Sequence, residues 1–224
     1  EATIEVGPCG VNGRFTTTRW LMWFNTVEAS SRLAALVRRL LVTRHRSKPG
    51  DPLCVSPVAI ALKACPNLNR IDCVAGLSLR NFDFPAQFAS QATLRCLDAY
   101  KLEQPTDWNI LLDLPNLTHL GVKLDSGAGG PREDERRPEF RLECLRIFNG
   151  RGDSSSGPDR RMLDALLHLS HNSLKALELP TTRRITSVIN LEQFPNLDRL
   201  SLIGYWSDNR SDDDEVDAVV ALLG

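Results

Sequence analysis

The sequence predicts an α/β fold in which short parallel strands alternate with helical returns and stack coil upon coil. Three observations predict it. An apolar phrase of the form L-x-x-L, with Val or Ile standing in for Leu in places, begins at Val37, Leu68, Leu94, Leu117, Leu142, Leu174 and Leu197, at intervals of 23 to 32 residues. One dipeptide, Pro-Asn, introduces three of these phrases, at Pro66-Asn67, Pro115-Asn116 and Pro195-Asn196. Segments of helical spacing lie between them. One strand and one helical return per period of this length describe a leucine-rich-repeat solenoid. The expected form is right-handed, with parallel strands on the concave face and irregular helices on the convex face.

Residues 1–36 read as an N-terminal segment and capping helix. Within Thr18 to Leu36, the residues Trp20, Leu21, Trp23, Phe24, Val27, Leu33 and Leu36 recur at a mostly helical spacing. This helix is expected to cover the open edge of the first repeat. Residues 37–224 read as about seven irregular units. Ser56-Pro57 reads as a cap followed by Pro at the first helical position, opening Val58 to Leu62. Pro105-Thr106-Asp107 opens Trp108 to Leu114, and Pro158-Asp159 opens Arg160 to His168. Thr186 to Phe194 reads as a further return, and the acidic run Asp212 to Glu215 complements the dipole of a last helix, Val216 to Leu223. Pro cannot continue a helix, and Asn tolerates tight turns, so Pro-Asn stops each return and re-aims the chain into the next strand.

Two stretches break the pattern. Residues 125–139 lack an apolar face and, like residues 149–157, read as mobile loops. The second contains Arg151-Gly152-Asp153, an adhesion tripeptide elsewhere and a loop here.

Hydrophobic content of 42% with 25% charged residues is ordinary for a globular chain. A formal net charge of −1 gives no electrostatic reason to expect nucleic acid or an anionic membrane as partner. No apolar run approaches the roughly 20 residues that a membrane span needs. Glu1-Ala2-Thr3-Ile4 shows no secretory leader pattern, and the chain reads as a segment of a longer protein. The six cysteines, Cys9, Cys54, Cys65, Cys73, Cys96 and Cys144, form no C-x-x-C pair. They read as reduced structural thiols, which implies the cytoplasm or nucleus.

No catalytic constellation is evident, and the sequence shows neither a G-x-S-x-G elbow, nor a phosphate loop, nor a dinucleotide fingerprint. His168 and His171 stand three apart near a helix end, a spacing that could suit a metal. No Cys or carboxylate motif joins them, so a structural role is expected. Neither enzyme activity, nor a cofactor, nor a metal is expected.

What the repeat supplies is a surface. Side chains alternate along a strand, so residues flanking the second leucine of each phrase point away from the core. This places Arg39 and Leu41; Arg70, Asp72 and Val74; Cys96, Asp98 and Tyr100; His119, Gly121 and Lys123; Cys144, Arg146 and Phe148; Ala176 and Glu178; and Arg199 and Ser201 on the concave face. Charged groups of both signs beside Tyr100 and Phe148 suit a protein-binding surface. The expected partner-binding residues are Arg39, Arg70, Asp72, Asp98, Tyr100, His119, Lys123, Arg146, Phe148, Glu178 and Arg199.

The phrases Leu62-Lys63-Ala64-Cys65-Pro66-Asn67-Leu68 and Leu111 to Leu120, and the run Leu33 to Leu40, resemble those of the divergent, fungal-type F-box/leucine-rich-repeat proteins. The resemblance extends from about Trp20 to the C-terminus. It implies a substrate held on the repeats, with ligase recruitment through an F-box that docks on the Skp–cullin ubiquitin ligase. No F-box is visible in residues 1–19, so recruitment would need a region absent from this chain. The expected function is a non-catalytic protein-recognition module, the substrate-binding region of such a receptor. The alternative is an intracellular scaffolding or regulatory repeat domain with no ubiquitin role.

Overall fold

Each apolar phrase forms a β-strand or leads into one in the computed structural model, which describes residues 2–6, 22, 25–42, 57–77, 92–102, 107–124, 136–149, 160–180 and 189–203. The chain divides into two units, Glu1–Tyr100 and Lys101–Gly224. The first contains β1 (Ala2–Val6), α1 (Ser31–Ala34), β2 (Val37–Val42), α2 (Pro57–Ala64), β3 (Arg70–Leu77) and most of β4 (Cys96–Leu102). The second contains α3 (Asp107–Leu112), β5 (His119–Leu124), β6 (Cys144–Asn149), α4 (Arg160–Leu167), β7 (Ala176–Pro180), a 3₁₀ turn (Leu191–Gln193) and β8 (Arg199–Ile203). The fold is α/β, and the strands in each unit run parallel in chain order.

Leucine columns make the core. Val37, Leu68, Leu94, Leu117, Leu142 and Leu174 open their phrases and are buried, as are Leu40, Ile71, Leu97, Leu120, Leu145 and Leu177 three residues on. Each such side chain contributes about 1.5–3 kcal/mol by leaving water. The last phrase is looser, with Leu197 and Leu200 only half-buried.

The Pro-Asn turns have one geometry. Leu68 N–H donates to the Cys65 carbonyl at 3.2 Å, Leu117 to Leu114 at 3.3 Å, and Leu197 to Phe194 at 3.1 Å. These are four-residue turns with Pro at the second position, where its fixed φ is already correct. After the turn, one carbonyl accepts from two consecutive N–H groups of the next strand. Asn69 accepts from Arg95 and Cys96, Thr118 from Glu143 and Cys144, Glu143 from Lys175 and Ala176, and Lys175 from Asp198 and Arg199. Equivalent phrases are therefore held in equivalent register.

Several expectations are corrected. The helix expected over Thr18 to Leu36 is interrupted: residues 25–29 are helical, Ser30 is extended, and α1 begins anew with the Ser30 hydroxyl accepting from Leu33 N–H at 3.4 Å. A serine that caps ends one helix as it starts the next. Val27 and Ala34 are buried, but Leu33 and Leu36 are exposed, so they do not form the covering face. The strand beside β2 is instead β1, pairing from Thr3↔Arg39 to Val6↔Val42. The return over Thr186 to Phe194 is reduced, among its described residues, to the single 3₁₀ turn, capped by the Asn190 side chain accepting from Glu192 N–H at 3.0 Å. Trp20, Trp23, residues 125–135 and 150–157, and the acidic segment from Asp212 lie outside the described residues. At 136–139, the end of the first expected loop, Pro138 is buried, and Phe140 just beyond is among the largest fully buried side chains. Among the described residues no helix is long and apolar enough to cross a membrane.

Candidate functional site: two charged sheet faces

In the first unit, β2, β3 and β4 bring four charged side chains to the face opposite the leucines. The ladder aligns Arg39 with Arg70, and Asp72 with Asp98. Beyond Asp72 the register shifts, so that Leu77 rather than Val74 lies opposite Tyr100. The side chain of Tyr100 lies outside the described residues.

Asp72, expected among the partner-binding residues, is almost covered. It is only 7% exposed, because two arginines from adjacent strands close over it. Arg39 Nε donates to Oδ2 at 2.6 Å, and Arg70 Nε donates to both carboxylate oxygens at 2.9 Å. Burial pushes the Asp72 carboxyl up, but the hydrogen bonds from Arg70 and Arg39, together with their charges, outweigh it and hold the group below the usual aspartate value. The hydrogen bond to Asp72 in turn raises Arg70 above the usual arginine value. The arginines remain partly exposed at their side chains, 41% for Arg39 and 46% for Arg70.

In the second unit, one row across the strands runs His119, Cys144, Ala176, Arg199, and the next runs Gly121, Arg146, Glu178, Ser201. These are the columns expected from the period-two pattern. Arg146 lies side-on to Glu178, Nε to Oε2 at 2.8 Å and Nη2 to Oε1 at 3.2 Å, with its guanidinium carbon 4.9 Å from the Phe148 ring centre. Bidentate pairing and stacking fix its plane. Phe148 lies opposite Lys123. Among the described residues neither Lys123 nor Arg199 has an ion-pair partner, while His119 is exposed and its Nδ1 lies 3.0 Å from the Thr118 hydroxyl.

Sequence reasoning missed the side chains that fasten one phrase to the one before. Asn67 Nδ2 donates to the Ala35 carbonyl, and Asn196 Nδ2 to the Asn172 carbonyl, each at 2.8 Å. Thr93, in the position of those asparagines, donates to Pro66 and Leu68 carbonyls, and Ser173 to Leu142 and Ser170. A small polar residue immediately before five of the seven phrases was the visible signal. Ser170 gave none: it is fully buried, and its hydroxyl accepts from Leu142 N–H at 2.9 Å.

His168 and His171 are placed structurally. His168 Nδ1 lies 3.0 Å from the Ala165 carbonyl, and the His171 ring stacks on Phe194 at 5.5 Å. Both line a cavity of about 330 Å³ between α4 and the 3₁₀ turn. Among the described residues no cluster of three or more potential ligands could hold a metal. Cys65 is a buried thiol, pushed up to about 11 by burial, while Cys96 and Cys144 are half-buried, and none of the three is in a disulfide. Cys9, Cys54 and the side chain of Cys73 lie outside the described residues.

No protein-family model, curated protein or solved structure matches the chain.

Proposed function

We propose that this chain is a non-catalytic protein-recognition module, a right-handed leucine-rich-repeat solenoid that binds a protein partner on its concave strand face. One observation carries the reading: the outward side chains stand in register, row by row, with mixed charge and an aromatic–arginine stack at Arg146 and Phe148. Repeated parallel strands offer a broad surface of fixed side chains, and recognition by such a surface loses little freedom on binding. The resemblance to F-box/leucine-rich-repeat proteins extends the proposal to the substrate-binding region of a ubiquitin-ligase receptor. Cytoplasmic or nuclear location is part of the same proposal.

The test is affinity capture with the full-length protein, comparing the wild type with Lys123→Glu/Arg199→Glu and with Arg146→Ala. A discrete partner retained by the wild type and lost by these variants, at unchanged Tm, is the expected result. Retention by all variants moves the site off this face. Co-purification of the Skp adaptor with the full-length protein is expected of a ligase receptor, and its absence leaves recognition without a ubiquitin role.

A further inference from the structure

One cavity in the second unit draws on none of the outward strand residues. About 330 Å³ in volume, it lies between α4, the 3₁₀ turn and the segment leading to β6. That is the lower end of the ~300–1,000 Å³ typical of ligand sites, enough for a molecule of amino-acid size. Leu163, Leu167 and Phe194 give it a buried apolar floor. The His171 ring, stacked on Phe194 at an interplanar angle of 16°, extends that floor as an aromatic wall.

Charges of opposite sign share this cavity without pairing. Arg137 and Asp164 both line it, yet among the described residues Arg137 has no ion-pair partner. Asp164 pairs only loosely, with Arg160 at 3.7 Å. Arg136 takes Glu139 at 3.1 Å, and buried Pro138 and Phe140 anchor the same stretch. Arg137 is thus held at the cavity with its charge left for a ligand. One helical turn on from Asp164, His168 Nδ1 donates to the Ala165 carbonyl at 3.0 Å. The neutral ring therefore keeps Nε2 as a second acceptor.

We propose that this cavity binds a free α-amino acid with an aromatic side chain. Arg137 receives the carboxylate, Asp164 and His168 receive the ammonium, and the ring lies on Leu163, Leu167 and Phe194. A zwitterion matches two opposite charges that are held apart, and each end gains a charge-assisted hydrogen bond. The ligand bridges three segments of the chain, so occupancy stabilises the fold. It shares no residue with the strand face, so its test and that of partner recognition succeed or fail separately.

The test is calorimetric titration of the full chain with L-phenylalanine, with Tm measured alongside. Saturable binding at a single site and a rise in Tm are expected. Arg137→Gln and Asp164→Asn, both at exposed positions, are expected to leave the ligand-free Tm unchanged. Each is expected to weaken binding about tenfold. Phenylalanine amide, which lacks the carboxylate, is expected to bind weakly and to be indifferent to Arg137→Gln. N-acetylphenylalanine, which lacks the ammonium, is expected to bind weakly and to be indifferent to Asp164→Asn. Absence of saturable binding, or binding that neither substitution weakens, would overturn the site. Equal affinity for L-phenylalanine and L-alanine would do the same, because the apolar floor would then contribute nothing.

Discussion

The Asn67 side-chain amide reaches back 32 positions to donate to the Ala35 carbonyl at 2.8 Å. Ala35 stands two residues before its own phrase at Val37, and Asn67 one residue before its phrase at Leu68. Asn196 repeats this relationship with Asn172 and the phrase at Leu174. The asparagine thus serves both as a turn residue and as a strap between successive phrases. Replacing Asn67 by Ala is expected to cost about 1 kcal/mol, the usual worth of a hydrogen bond. Asn196→Ala should cost less, since this residue is exposed and water can replace the amide. Urea denaturation of both variants is the check, and no loss at Asn67 would reduce the asparagine to a turn residue alone.

Ser170 should be far less tolerant than its surroundings suggest. Its hydroxyl satisfies the backbone N–H of Leu142 at zero exposure. Ser170→Ala leaves that donor buried without a partner, with an expected loss of about 1–3 kcal/mol. Ser173→Ala, at a half-buried neighbour, is the control. Equal losses for the two would show that burial of the donor is not what matters.

Acid should weaken the first unit through Asp72. A carboxyl held below its usual value in the folded state stabilises that state above its unfolded pKa, near 4, and loses the contribution as pH falls through the folded value. The urea midpoint is therefore expected to drop below about pH 4, and Asp72→Asn to flatten that drop. An unchanged acid slope in the variant would locate the sensitivity in other carboxylates.

Cys65 should be the slowest of the described thiols to react. Burial pushes it up to about 11, so folding favours the neutral form. That contribution is complete below the unfolded thiol value and fades as pH rises toward 11. Alkylation of the native protein at pH 8, mapped by mass spectrometry, is expected to modify the half-exposed Cys96 and Cys144 well before Cys65. Early modification of Cys65 would mean that α2 opens readily in the native state.

By itself, the sequence determined the leucine columns, the strand register from β5 to β8, that of β2 to β4 as far as Asp72 and Asp98, and the Pro-Asn turns. These features depend on alternation and turn chemistry acting over four to six residues, where few backbone geometries are available. The rows His119–Cys144–Ala176–Arg199 and Arg146–Glu178 follow from that register alone. Only the tertiary structure decided what each outward side chain meets. Asp72 reads like Asp98 along the chain, yet a second arginine 33 residues away encloses it. Leu33 and Leu36 read as core, but the chain restarts its helix at Ser30, and they face solvent. The pairing of β1 with β2 and the bond from Leu142 to Ser170 likewise join positions 28 to 36 residues apart. Stacking of one phrase on another selects such partners, and local pattern carries no record of it.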